Sequence, residues 1–347
     1  HRERNPFPLI CGRVCPAFCE RRCRRGELDE PVMIRHIKRF MADHEIDKPW
    51  TPPMLEEKKS EKVAVIGSGP AGLTAALRLA QWGYDVTVYE ALPVAGGMMA
   101  VGIPEYRLPR DILNMEIDNI KRAGVEIKLN TRLGRDFQVN DLLGRDGYAA
   151  VVLAIGAQVS RPMRVPGEDL KGVMGGTEFL QDVALGKAKD LSGKRVVVVG
   201  GGNTAIDAAR TAMRLGASEV NLVYRRTREE MPAQDLEVQE AEEEGLKLHF
   251  LVNPTRIVGN GHVTGIELVR QELGEFDESA RRRPVPIEGS EFVLPVDVVI
   301  AAISQSTDVS CVEGCAVEFN RNTTVKVDRK LAATMPGVFA AGDAVLG

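Results

Sequence analysis

The sequence predicts an α/β fold, with two βαβ units of parallel sheet behind a small helical, cysteine-rich N-terminal domain. Three observations predict it. The run Val63-Ala64-Val65-Ile66-Gly67-Ser68-Gly69-Pro70-Ala71-Gly72 is echoed 133 residues later by Val196-Val197-Val198-Val199-Gly200-Gly201-Gly202-Asn203-Thr204-Ala205. Each copy reads as a strand, a glycine turn and an Ala-rich helix, and each leads to a second strand, over 85–90 and 219–224. From Lys62 onward, short β-branched runs alternate with Ala- and Leu-rich helical segments, the pattern of parallel sheets. Finally, four of the six cysteines fall within the 13 residues from Cys11 to Cys23.

A chain of 347 residues, 44% hydrophobic, has room for two or three domains. Its 49 acidic and 45 basic residues leave a formal net charge of −4, against a nucleic-acid binder, which usually shows a basic excess. No apolar run approaches the roughly 18 residues needed to span a bilayer, and no charged-then-apolar leader opens the chain. Six clustered cysteines are too few for a disulfide scaffold at this length. The expectation is a soluble, cytoplasmic protein. Its start at His1 and its stop at Gly347 read as the ends of a piece of a longer polypeptide.

Residues 1–47 are basic and cysteine-rich, then helical, because Val32, Met33, Ile34, Ile37, Phe40 and Met41 fall on one face. Cys11, Cys15, Cys19 and Cys23 are each separated from the next by three residues. Four thiols this close in an intracellular chain point to metal or iron–sulfur. Zinc is the minority reading, since it generally takes cysteine pairs with a longer gap, and four free thiols in a basic tail is the bland one. Pro16 argues against one continuous helix through all four. Arg13, Arg21, Arg22, Arg24 and Arg25 would offset the charge of an anionic cluster. Residues 48–60 open on Lys48-Pro49-Trp50-Thr51-Pro52-Pro53 and read as a semi-rigid linker.

The first unit is expected over 61–162, completed by 295–347. Gly67 permits the tight turn, Gly69 lets the backbone approach a pyrophosphate, and Gly72 lets helix and strand pack closely. Pro70 and Ala71 open a helix whose N-terminus presents unpaired N–H groups. Glu90 follows Gly69 by 21 residues, where a carboxylate accepts hydrogen bonds from a ribose diol. Near the C-terminus, a strand ends in Gly342-Asp343, and Asp343 suits a sugar-alcohol chain such as ribityl. Together these residues read as one flavin site. A glycine turn used only for packing is the alternative.

The second unit is expected over 163–294. Gly200, Gly202 and Ala205 keep the turn, with Asn203 and Thr204 opening the helix, but Tyr224-Arg225-Arg226 stands where the first unit has Glu90. Guanidinium groups pair well with a 2′-phosphate, which favours NADP(H) over NAD(H). A solvated basic turn is the alternative. Cys311 and Cys315 read as loop cysteines without function, and no cysteine lies between Cys23 and Cys311. The histidines form no catalytic or metal-spaced set, and hydride transfer between nicotinamide and flavin needs no protein acid or base. No catalytic side chain is therefore assigned.

Asn5-Pro6-Phe7-Pro8, Cys11-Gly12-Arg13-Val14-Cys15-Pro16, the paired glycine motifs and the terminal Gly-Asp together resemble the small subunit (beta chain) of glutamate synthase. The N-terminal part of dihydropyrimidine dehydrogenase and the large subunit of ferredoxin–NADP transhydrogenases are similar. The resemblance covers nearly the whole chain. It implies two Rossmann-like, glutathione-reductase-like domains, with FAD in the first and NADP(H) in the second, after a helical domain holding two 4Fe–4S clusters. By position it also brings Gly97, Met98, Arg107, Leu133 and Ala302 to the FAD. Two departures stand out: family members draw half their cluster cysteines from a segment upstream of Asn5, and some use a Glu or Gln ligand where this chain has Lys38.

The resulting expectation is a flavoprotein electron-transfer subunit. It would move electrons between NADPH (or NADH), FAD and 4Fe–4S clusters, to a larger catalytic or electron-accepting subunit, a ferredoxin-linked one among them. A flavin-dependent disulfide reductase is the rival within the class, disfavoured by the cysteine map. A docking module with vestigial nucleotide sites is the rival outside it.

Overall fold

The computed structural model describes residues 2–46, 48, 50–277 and 281–347. His1, Asp47 and Pro49, placed by the sequence in the N-terminal domain and linker, lie outside the described residues. The chain divides into two compact units, His1–Gln158 with Ser306–Gly347, and Val159–Gln305. Among the described residues, no helix is long and apolar enough to cross a membrane.

The first unit is built on five parallel strands in the order Val338–Ala340, Ala150–Leu153, Lys62–Ile66, Asp85–Tyr89, Glu126–Lys128. Val63 to Ile66 are all buried, as expected of a central parallel strand covered on both faces. The helix Pro70–Gln81 starts on a proline, whose fixed φ and missing N–H suit the first helical position, and buries Leu73, Ala76, Leu77 and Ala80. Adjacent strands 62–66 and 85–89 therefore end side by side, and the turns that follow them form one rim.

The N-terminal segment packs as short helices, Pro8–Val14, Phe18–Arg21 and Ile34–Asp43, with a single 3-10 turn at Arg24–Glu27. Pro16 acts as expected: the first helix stops at Val14, Cys15 is extended, and Ala17 takes a left-handed φ of 51°. The helix 34–43 meets the helix 8–14 at Gly12, where a Cβ would lie 2.7 Å from the Arg39 Cα. Its predicted apolar face exists but points outward, with Ile37, Phe40 and Met41 exposed. The segment is tied down by Glu116, a fully buried carboxylate that accepts from Arg2 Nη1 (2.6 Å), the Leu9 N–H (2.8 Å) and Asn119 Nδ2 (3.3 Å). The expected linker is docked as well, through Leu55 N–H to Gln81 O (2.8 Å) and Lys59 N–H to Gly83 O (2.8 Å).

The second unit repeats the architecture, with parallel strands in the order Val173–Gly175, Val298–Ala301, Arg195–Val199, Glu219–Tyr224, Lys247–Phe250. Two features depart from expectation. The boundary falls at 159 and 305 rather than 163 and 294, because Val298–Ala301 pairs residue for residue with Val196–Val199 instead of joining the first sheet. An all-apolar strand carries no sequence mark of which buried sheet it enters. The unit also holds an antiparallel sheet that the sequence reading did not foresee, in which the long strand Val263–Phe276 pairs with Val252–Gly259, Arg282–Pro286 and Phe292–Leu294.

Candidate functional site

In the first unit, a cleft of about 1040 Å³, counting space open to solvent, lies at the carboxyl ends of the strands. Gly67 turns the chain at φ +101°, and a Cβ there would sit 2.4 Å from Ala154 O. Gly72 packs its helix onto the turn so closely that a Cβ would lie 1.9 Å from Gly67 O. Gly69 is different: a Cβ there would meet nothing within 4 Å, so its backbone faces open space at the N-terminus of a twelve-residue helix. That is the geometry a pyrophosphate needs.

Glu90 stands at the cleft edge, 5% exposed. Its Oε2 accepts from the Ser68 N–H (2.9 Å) and Ser68 Oγ (2.6 Å), and its Oε1 from the Leu92 N–H (2.9 Å). Ser68 Oγ in turn accepts the Gly96 N–H at 2.9 Å. The carboxylate is thus fixed in orientation while keeping lone pairs for a diol. Gly97, at φ +53°, brings its loop against Gly69, where a Cβ would lie 2.7 Å from the Gly69 Cα. Pro70, Ala71, Gly97, Met98, Leu133, Gly342 and Asp343 all line the same cleft. These residues fit an FAD.

Two expected contacts stand elsewhere. Arg107 is not part of the cleft lining; its N–H bonds Pro104 O in a local turn (3.0 Å). Ala302 belongs to the second unit, where its N–H donates to Val199 O at 2.8 Å and its carbonyl closes the space beside Gly200. It is the counterpart of Ala154, whose N–H donates to Ile66 O at 2.8 Å. The sequence reading missed Ala154 to Gln158 and the pair Arg132–Asp308 (2.9 Å), which also line the cleft. Gly156, at φ +70° beyond a buried strand, was the available signal.

Cys311 lines this cleft too, but its thiol donates to Asp308 O (3.2 Å), and burial pushes its pKa up to about 11. A thiol held neutral is a poor redox nucleophile, which counts against the disulfide-reductase rival.

In the second unit, Gly200 adopts φ +147° with Ala302 O at 2.2 Å from a would-be Cβ, and Gly202 has only Pro232 Cγ within 4.0 Å. The helix Asn203–Arg214 starts there, with Thr204 in its first turn and Ala205 fully buried. Asn203 Oδ1 accepts the Gln234 N–H at 3.1 Å, pinning the loop that flanks the turn. An open middle glycine on a twelve-residue helix fits a second dinucleotide. The two arginines differ. Arg225 is exposed and makes no hydrogen bond or ion pair among the described residues. Arg226 is buried, with Nη2 on Asp277 Oδ2 at 2.6 Å and Nε on the Arg282 carbonyl at 2.8 Å. Arg226, expected beside Arg225 as a phosphate ligand, thus has its guanidinium paired with Asp277 rather than open at the turn.

The N-terminal cysteines have the donor chemistry of an iron–sulfur site but not the arrangement. Among the described residues, no three Cys, His, Asp or Glu side chains converge as a metal-binding set. The Cys11 thiol donates to Asn5 Oδ1 (3.7 Å), and burial raises its pKa. Cys19 is exposed, and the Cys23 thiol is held below the usual value by N–H groups of Val32 and Arg25.

Residues 61–347 match the family described as pyridine nucleotide-disulphide oxidoreductase. Residues 1–50 match the family described as dihydropyrimidine dehydrogenase domain II, 4Fe–4S cluster. The NADP(+)-dependent formate dehydrogenase subunit beta of Moorella thermoacetica is 50% identical, over 100% of this chain and 52% of that protein. The glutamate synthase [NADPH] small chain of Escherichia coli K12 is 37% identical, over 99% of this chain and 77% of that one. Mycobacterium tuberculosis FprA, solved with NADPH, superposes with a TM-score of 0.72 at 22% identity, over 83% of this chain and 80% of FprA, a likeness of fold. The chain spans about half the length of the formate dehydrogenase subunit.

Proposed function

Since this chain belongs to the pyridine nucleotide-disulphide oxidoreductase family, in the branch that holds the glutamate synthase small chains, we propose that it is the pyridine-nucleotide-linked flavoprotein piece of a multisubunit oxidoreductase. Its cofactors are FAD, NADP(H) and the 4Fe–4S cluster of its N-terminal family. FAD, when bound, exchanges a two-electron hydride for single electrons, which is what joins a nicotinamide to an iron–sulfur chain. The chain's own residues bind and orient. Gly69 and the helix after it would take a pyrophosphate, Glu90 a ribose diol, and Asp343 the far end of the same ligand. Gly202 and its helix would take a second pyrophosphate, with Arg225 on the 2′-phosphate. Among the described residues, the N-terminal cysteines do not converge on one point.

One observation carries this reading: the same glycine turn occurs twice, with a buried, oriented carboxylate beside the first and a free guanidinium beside the second. The two turns thus select different dinucleotides. By the names of its relatives, whose counterparts are called subunit beta and small chain, the protein would serve a larger electron-accepting partner. Anaerobic titration of the flavin-loaded protein with NADPH tests the reading. Bleaching of the flavin absorbance at about one equivalent is expected; an unchanged spectrum overturns it and favours the docking module.

A further inference from the structure

The turn after the strand Glu219–Tyr224 is held by more than its own residues. Arg226 is 3% exposed, and its guanidinium reaches the Asp277 carboxylate at 2.6 Å and the Arg282 carbonyl at 2.8 Å. Its own carbonyl accepts the Leu251 N–H at 3.1 Å. Asp277 and Arg282 belong to the end of the antiparallel pair formed by Val263–Phe276 and Arg282–Pro286, and the Asp277 N–H closes that end onto Arg281 O at 2.8 Å. A second tie runs through Glu230. Its Oε1 accepts the Arg282 N–H at 3.0 Å, while its Oε2 accepts the Thr227 N–H (3.3 Å) and hydroxyl (3.2 Å). Tyr224 closes the loop by donating its hydroxyl to Glu230 O at 2.8 Å. The segment 224–230 is therefore fastened twice to one neighbouring strand.

We propose that Arg226 is a positioning residue: through Asp277 and Arg282 it fixes the turn so that Arg225 alone meets the 2′-phosphate, making the antiparallel pair part of the cofactor-selecting device. The inference rests on the second turn being an NADP(H) site. Its physical basis is preorganisation. An exposed arginine on a loose turn loses affinity to the ordering of its backbone, whereas a turn already held loses less. A buried guanidinium neutralised by a carboxylate has little to offer a phosphate dianion, and Asp277 itself would repel one.

The test is equilibrium binding of NADPH and NADH to the full, flavin-loaded protein and its variants. If Arg226 were itself the phosphate ligand, Asp277→Asn would release it, and NADPH would bind as tightly as before or tighter. If Arg226 positions the turn, Asp277→Asn removes one charged hydrogen bond and weakens NADPH by about 3- to 10-fold, while NADH stays within about twofold. In addition, Asp277→Asn combined with Arg225→Ala should bind NADPH no worse than Arg225→Ala alone, since both act on one contact. Asp277→Glu, which keeps the ion pair, should restore most of the selectivity. Should Asp277→Asn fail to fold, Arg226→Lys carries the test. It keeps the charge but cannot bond both Asp277 and Arg282, so lost NADPH selectivity supports positioning and parental selectivity overturns it. A parent protein that binds NADPH and NADH equally refutes the site assignment itself; a selective parent with an unaffected Asp277→Asn refutes only this inference.

Discussion

In the first unit a Cβ at Gly67 would lie 2.4 Å from Ala154 O; in the second a Cβ at Gly200 would lie 2.2 Å from Ala302 O. The carbonyl of the neighbouring strand forces glycine at the first position of both turns. Both middle glycines, Gly69 and Gly202, open onto free space. The third position separates the units. Gly72 has Gly67 O at 1.9 Å from a would-be Cβ, whereas Ala205 carries a real Cβ, which a Cβ on Gly200 would meet at 3.3 Å. The second strands separate them further, one ending in the buried Glu90 and the other in the exposed Arg225. What is common to the copies is what backbone packing demands, and what differs is what a ligand would read.

The largest effect should come from equalising the third position. Gly72→Ala drives a methyl into a backbone carbonyl that cannot move alone, so about 3 kcal/mol or more of stability should go, and bound flavin with it. The reciprocal Ala205→Gly should cost only about 1 kcal/mol, the helix propensity of glycine. Thermal melts of the two variants compare them, and equal losses would break the distinction.

Glu90→Ala comes next. It removes the acceptor of the Ser68 N–H and hydroxyl and of the half-buried Leu92 N–H, and leaving the buried Ser68 N–H unpaired costs about 1–3 kcal/mol. Flavin content, read from the visible spectrum, should fall, while the preference for NADPH over NADH in the second unit stays at its parental value. A loss of that preference would mean that the two turns are not independent.

Arg225→Ala sharpens the comparison from the other side. Losing a charge-assisted bond of about 1.5–3 kcal/mol should shrink the NADPH-to-NADH affinity ratio by roughly 10–150-fold. Binding isotherms for both nucleotides measure it, with an unchanged ratio counting against phosphate recognition at this turn.

The smallest effect concerns acid, and two of the carboxylates behind it lie in the second unit. Glu244, paired with Arg214 and Arg210, and Asp297, paired with Arg195, are both held at about 2, below the ordinary values of 4.5 and 3.8. A depressed folded-state pKa stabilises above the unfolded value and loses that contribution as pH falls toward the folded one. The second unit should thus keep these contributions from neutral pH down to about 4.5, then lose them between there and about 2. Circular dichroism against pH for the parent and for Asp297→Asn checks it: the variant should be less stable than the parent at pH 7 and converge with it near pH 2.

The glycine turns, the helices they open, Glu90 and the break at Pro16 were legible because each depends on local backbone geometry, which a residue type enforces wherever the chain goes. The clustered cysteines were legible as donor chemistry only, since ligation needs side chains brought together from outside their own turn. Ala302 and the strand 298–301 were misplaced because the inner parallel strands of both sheets, 63–66, 150–153, 196–199 and 298–301, are all apolar, and only pairing with 195–199 selects the sheet. Arg225 and Arg226 are the clearest case. Side by side, they are the same residue twice, with the same charge and reach. The sequence by itself determined that two dinucleotide turns exist and that they differ in sign at the second strand. Only the tertiary structure decided which guanidinium remains free, because Asp277 lies 51 residues from Arg226 and no local rule spans that distance.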